Sequence, residues 1–230
     1  MFDYDPYFSA YPQNVNLYFP ESDLVENDKL KALGWDKEYI YYKFNQYGFR
    51  SEEFQPDNNI CFLGCSITFG ASLNIEDTFS HIVSTELQMN NCNLGKGGGS
   101  MDTVFRIASY WLPKLRPKIT VIVSTGKERS EYYDTNLKRH QPLLPNMHND
   151  DSWYLNYLRN ENNYNVNFLK NKYALYELCK EIDTSLIWID HSEGFGQKLD
   201  LARDLLHPGK KSHRLMAQDI LKCIKDKGVR

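Results

Sequence analysis

The chain predicts an α/β fold in which helices cover both faces of a mostly parallel sheet. Two observations carry that expectation. Short segments of strand length recur at residues 60–63, 91–94, 119–123 and 185–189, apolar in all but the second, and segments with helical spacing separate them. Strand–helix alternation of this kind joins parallel strands through crossover helices. In such sheets, reacting groups gather beyond the carboxyl ends of the strands.

The elements follow in order. Residues 1–56 are rich in Tyr, Asn, Asp and Pro and lack sustained periodicity, so they read as an N-terminal extension that packs on a core domain of residues 57–230. Ile60-Cys61-Phe62-Leu63 ends at Gly64 as a buried strand. Glu76 to Gln88 has helical spacing, with Phe79, Ile82, Val83 and Leu87 on one face. Asn91 to Leu94 is a second short strand that runs into Gly95-Lys96-Gly97-Gly98-Gly99. Ser100 caps a helix expected to stop near Leu112, because Pro113 follows. Ile119 to Val123 is β-branched throughout. The stretch from Arg129 to Asn165 is polar, Asn-rich and weakly periodic, an insertion of the kind that is usually functional or mobile. A helix over 167–182, a strand over 185–189 and a helix from Pro208 to about Lys225 complete the chain.

Composition narrows the function. The formal net charge is −3 and no long basic run occurs, so no nucleic-acid partner is expected; the Lys210-Lys211 pair reads as a solvated helix start. No apolar stretch approaches a membrane span. The N-terminus has neither a basic start nor an apolar core, so no signal peptide is expected. The five cysteines, Cys61, Cys65, Cys92, Cys179 and Cys223, are odd in number and irregular in spacing, which fits free thiols in a reducing, cytoplasmic compartment. Cys61, Cys65, His191, His207 and His213 make no convincing zinc set, because no second close pair accompanies the first. No metal or other cofactor is expected.

Three segments at strand or helix ends can carry chemistry. In Gly64-Cys65-Ser66-Ile67-Thr68-Phe69-Gly70, a Ser just beyond a buried strand can present its hydroxyl to a substrate; alone, the same segment reads equally as a turn or a helix cap. In Asp204-Leu205-Leu206-His207, the carboxylate can fix one imidazole nitrogen and leave the other to accept a Ser proton; alone, it reads as an acidic helix start. The run Gly95–Gly99 can aim amides at a developing oxyanion, or simply turn a strand into a helix. Nucleotide readings of that run fail, because no Lys-Ser or Lys-Thr pair follows the last Gly and Ser100 stands where a dinucleotide fingerprint needs Gly.

Together, in this order, the three segments resemble SGNH (GDSL-like) hydrolases over about residues 59–226. Gly64-Cys65-Ser66 is similar to the first block, usually Gly-Asp-Ser. Asn93-Leu94-Gly95-Lys96-Gly97-Gly98 is similar to the second, Asn-x-Gly-x-x-Gly. Asp204-x-x-His207 is similar to the last. Asn45-Gln46-Tyr47-Gly48-Phe49-Arg50 also resembles an element that precedes the core in some bacterial and phage members. The resemblance implies a flavodoxin-like three-layer α/β/α sandwich, with Ser66 as nucleophile, His207 as general base and acid, and Asp204 as its orienting carboxylate. It places the amides of Ser66 and Gly98 in the oxyanion hole.

Two departures stand out. Cys65 replaces the usual Asp, at a position that is not the nucleophile. The third block, usually Gly-x-Asn-Asp, reads Gly126-Lys127-Glu128-Arg129. Glu128 therefore stands where an Asn amide normally donates, and losing one such donor costs about 3 kcal/mol in the transition state. Arg129 is the expected replacement, as a donor to the oxyanion or to an anionic substrate group; a surface ion pair with Glu128 or Glu131 is the alternative. The expected activity is hydrolysis of a small acyl ester, such as acetyl on a carbohydrate, through an acyl-serine. Acyl transfer to a sugar, or a catalytically weak binding module on the same fold, are the alternatives. The aromatic residues Trp153, Tyr154 and Tyr157 near the insertion favour a carbohydrate.

Overall fold

The computed structural model describes residues 5, 7–11, 16–18, 27–145, 153–190 and 198–229. The elements are β1 (Asn16–Tyr18), α1 (Asn27–Ala32), β2 (Tyr41–Lys43), β3 (Asn59–Leu63), α2 (Ser66–Phe69), α3 (Phe79–Glu86), β4 (Asn90–Asn93), α4 (Met101–Leu115), β5 (Ile119–Val123), β6 (Ser130–Asp134), β7 (Arg139–Leu143), α5 (Trp153–Arg159), α6 (Glu161–Glu181), β8 (Ser185–Ile189) and α7 (Lys210–Asp226).

Every residue of β3 and β5 is buried, as strands covered on both faces must be. They form the centre of a four-stranded parallel sheet of order β4-β3-β5-β8. The alternation of side chains along β3 sorts the two helical layers. Cys61 and Leu63 pack with α4 and α6 through Val104, Ile107, Trp111 and Leu175. Ile60 and Phe62 pack with α3 and α7 through Phe79, Val83, Met216 and Ile220. The result is an α/β/α sandwich. Its strand order reverses between β3 and β5, so a crevice opens beyond their carboxyl ends. Ser66 follows β3 and Gly126 follows β5 at that edge.

Four elements differ from expectation. The α4 helix runs through Pro113 to Leu115: the proline sits in the last turn, where it removes one hydrogen bond, while Trp111, Leu112 and Leu115 are fully buried. The α3 helix begins only at Phe79, after a 3₁₀ turn over Ile75–Asp77 and the Thr78 N-cap. The α6 helix begins six residues earlier than expected, capped by Asn160, whose side chain accepts from the amides of Asn162 and Asn163. The polar stretch after Arg129 holds an antiparallel hairpin, β6–β7, whose turn forms as the Asp134 carboxylate accepts the amides of Asn136 and Leu137.

Residues of the N-terminal segment share a third apolar cluster with the core: Leu30, Trp35, Ile40, Tyr42 and Phe44 pack on Phe69, Leu73 and Ala202. Lys210 is not merely solvated. Its ammonium pairs with Glu38 at 2.7 Å and Asp77 at 3.0 Å, tying that segment to the start of α7. All five cysteines are free thiols. His213 is buried and accepts the Phe79 amide on Nδ1, and His191 lies outside the described residues. Among the described residues no helix is long and apolar enough to cross a membrane.

Candidate active site

The turn that carries Ser66 starts where β3 ends. A Cβ at Gly64 would collide with Thr68 Oγ1 and come within 3.0 Å of the Val123 carbonyl, so only glycine lets the chain turn this close to β5. Cys65 then caps α2, and Ser66 is its first residue. From Asn59 to Gly70 every residue is buried except Ser66. The turn thus delivers one hydroxyl to the surface from an otherwise packed segment.

Arg50 supports this turn from behind. The Arg50 guanidinium is 1% exposed. Nη1 donates to the carbonyls of Phe69 (3.1 Å) and Gly70 (2.6 Å), and Nη2 to that of Leu73 (2.5 Å). Those carbonyls lie at and just beyond the end of α2, where backbone acceptors lack intrahelical partners. The Tyr42 ring covers the guanidinium at 4.4 Å. Burial lowers the Arg50 pKa to about 10, opposed by Tyr42 and Glu76, so it stays charged at neutral pH. Asn45 shapes the preceding turn by accepting the amides of Tyr47 and Phe49 on Oδ1.

His207 reaches Ser66 from a short loop before α7. Asp200 anchors that loop by accepting the amides of Lys211 and Ser212 at the helix start. The Ala202 amide donates to the His207 carbonyl at 2.8 Å. Leu205 adopts φ 55°, a costly conformation for a branched side chain. The Asp204 side chain holds it there, with Oδ1 accepting the amides of Leu206 and His207 at 2.9 Å each. Its other oxygen, Oδ2, meets His207 Nδ1 at 2.5 Å, and His207 Nε2 lies 2.9 Å from Ser66 Oγ. Burial opposes ionisation of Asp204, but the hydrogen bonds from the His207 ring and from the His207 and Leu206 amides outweigh it and hold its pKa at about 2. An ionised Asp204 places the proton on Nδ1 and leaves Nε2 as an acceptor for the Ser66 hydroxyl.

The glycine run lies against the turn that carries Ser66. Asn93 fastens it: Oδ1 accepts the Gly95 amide at 3.0 Å, and Nδ2 donates to the Thr68 carbonyl at 2.8 Å. The Lys96 amide donates to the Gly64 carbonyl at 3.1 Å. Gly98 has φ 70°, a conformation that favours glycine. Among the described residues, neither the Ser66 amide nor the Gly98 amide bonds to an acceptor. The β6–β7 hairpin packs beside this run: Pro142 stands 3.6 Å from where a Gly98 Cβ would lie, and the 9%-exposed Lys96 donates from Nζ to the His140 carbonyl. Burial lowers the Lys96 pKa to about 8.

The third block is arranged differently from the expectation for Arg129. Its amide closes a turn onto the Gly126 carbonyl, and its side chain lines a hollow with Lys127, Lys170 and Tyr164 that neither Ser66 nor His207 lines. The ion pair suggested with Glu131 does not form, because Glu131 is taken by Arg106 Nε at 2.6 Å and by Thr103 Oγ1. The Glu128 carboxylate folds back over Gly126, with Oε1 2.7 Å from that residue's Cβ position.

The structure therefore brings Ser66, His207 and Asp204 into one hydrogen-bonded chain and sets the Gly98 loop against the same turn. It gives Arg129 other surroundings. Among the described residues no group of His, Cys, Asp and Glu could hold a metal ion.

No protein-family model and no curated protein sequence matches the chain. Several solved structures resemble it. TesA is 13% identical, with 73% of this chain and 98% of TesA covered, at a TM-score of 0.41. The psychrotrophic esterase EstA from Pseudoalteromonas sp. is 16% identical, with 74% of this chain and 98% of that one covered, at 0.40. An acetyl xylan esterase from the rumen bacterium Butyrivibrio proteoclasticus is 10% identical, with 83% of this chain and 67% of that one covered, at 0.43. Likeness at this level carries no argument about activity, which rests on the side chains themselves.

Proposed function

We propose that the protein is an SGNH-type serine esterase that removes a small acyl group, acetyl foremost, from a carbohydrate. The observation that carries this reading is the continuous bridge from Ser66 Oγ through His207 to Asp204, with contacts of 2.9 and 2.5 Å. In the reaction, Ser66 Oγ bonds to the acyl carbon as its proton passes to His207 Nε2. Asp204 holds the resulting imidazolium. The ester C–O bond then breaks, and His207 returns the proton to the departing sugar oxygen. Water attacks the acyl-Ser66 in the second half, with His207 again taking and giving one proton.

The Ser66 and Gly98 amides would receive the oxyanion; their lack of bonded acceptors supports that role. Pro142 beside Gly98 narrows the space there, which favours a small acyl group. Exposed Tyr132, Tyr133 and Tyr157 offer rings on which sugars can stack. The test is p-nitrophenyl acetate turnover by wild type and by Ser66→Ala. We expect turnover in the first only, with fluorophosphonate labelling confined to Ser66; equal rates in the two would sink the reading.

A second reading rests on Glu128. A carboxylate where an amide donor is customary favours a catalytically weak chain that binds carbohydrate. Stoichiometric labelling of Ser66 by the fluorophosphonate excludes it.

A further inference from the structure

We propose that the hollow beside the third block binds a carboxylate on the glycan, so that the substrate is an acylated acidic polysaccharide. The proposal rests on the esterase reading and names its substrate class. The hollow has a volume of about 280 Å³, and Lys127, Arg129 and Lys170 line it. That is close to the lower end of small-ligand pockets. Two acids, Asp102 and Glu131, line it as well; Arg106 pairs with Glu131, and Asp102 keeps one negative charge against three positive ones, so the lining stays net positive. Asp102 accepts from Ser130 Oγ at 2.6 Å, Asn171 Nδ2 at 2.8 Å and Asn167 Nδ2. Glu131 accepts from Thr103 and from Arg106, which neutralises it.

The three cations have no such commitment. Among the described residues none of them forms a side-chain ion pair; Lys127 only lies over the Phe168 ring at 5.3 Å, which leaves its charge uncompensated. The chain as a whole carries a formal charge of −3, so this grouping runs against the average. A carboxylate placed among the three gains charge-assisted bonds, including a fork from Arg129. Tyr157, 48% exposed, and Tyr164 add rings for a pyranose face. The hollow is also close to the chemistry. Asp102 follows Gly98 by four residues, so their Cα atoms lie within about 14 Å, a span of a few sugar units at most.

The test is titration calorimetry on the Ser66→Ala chain with tetragalacturonate, mannotetraose and inorganic phosphate. We expect tetragalacturonate to bind at least about tenfold more tightly than the neutral mannotetraose, and its affinity to fall with added salt. Lys127→Ala/Arg129→Ala/Lys170→Ala should erase that preference. Lys170→Ala alone, at an exposed helical position, should reduce it while the circular dichroism stays unchanged. Equal affinity for the two oligosaccharides, an unchanged preference in the triple variant, or phosphate binding as tight as tetragalacturonate overturns the proposal. Binding is read here without turnover, so a failure of Ser66-dependent hydrolysis is seen separately and does not imitate a failure of this site.

Discussion

Asp204 does two things at once: one oxygen folds the loop by accepting two amides, and the other orients His207. Asp204→Asn keeps an acceptor for the loop, so the fold should survive. The amide can present its NH₂ to Nδ1, which misplaces the ring proton, and kcat should drop by on the order of 10⁴-fold. Unchanged kcat in a folded variant would remove Asp204 from the chemistry. A pH prediction follows from the same residue. With a pKa of about 2, Asp204 remains a carboxylate throughout the range in which an imidazole ordinarily titrates. The esterase reading therefore expects log(kcat/KM) to fall on acidification with a slope of one proton. A flat profile, or a slope of two, would contradict a lone imidazole base. The convergence of Ser66, His207 and Asp204 was legible because hydroxyl, imidazole and carboxylate are distinctive side chains and stand beside strand and helix ends. Arg50 was not, since its partners are carbonyls 19 to 23 residues away, and a carbonyl is present in every residue.

Elements were readable where burial was complete. The strands β3 and β5, covered on both sides, show near-continuous apolar runs, interrupted only by Asn59 at the start of β3 and Thr120 within β5. The β6–β7 hairpin has no such run; its strands are half-buried to exposed, and β7 carries Pro142 near its end, so neither period 2 nor a tight turn dipeptide marks it. Helix α2 is shorter still. One turn cannot hold itself together in water, so its geometry depends on what ties its ends. Arg50 supplies that tie with three carbonyl contacts. Arg50→Lys retains the charge but loses the planar fork. It should lower kcat and slow fluorophosphonate labelling by about tenfold or more with little change in KM, because the position of Ser66 loosens and substrate contacts stay. Arg50→Ala should be worse and less stable. Equal labelling rates in wild type and a folded Arg50→Lys would show that the contacts serve stability alone.

The whole molecule stores a response to acid in its buried imidazoles. His213 is 1% exposed and accepts the Phe79 amide on Nδ1, an arrangement that needs the neutral ring. Burial, reinforced by the nearby Arg50 charge, lowers its pKa to about 3, with Asp200 opposing. His140 is lowered to about 4, chiefly by burial and then by Arg106. An unfolded histidine titrates near 6.5. Below that value the unfolded chain binds protons that the folded chain refuses, so stability is full above about pH 6.5 and is lost as pH falls toward 3 to 4. Each such histidine contributes a slope of about 1.4 kcal/mol per pH unit in that window. Asp204 adds a loss only lower, between its unfolded value near 3.8 and about 2. Urea unfolding at pH 7.5, 6, 5 and 4.5 should therefore show stability declining along the series. His213→Asn, which keeps an acceptor for the Phe79 amide, starts less stable at neutral pH but should show a slope shallower by one proton. If wild type and His213→Asn decline in parallel, the protons are taken up elsewhere, and the sandwich tolerates a charged ring between α3 and α7.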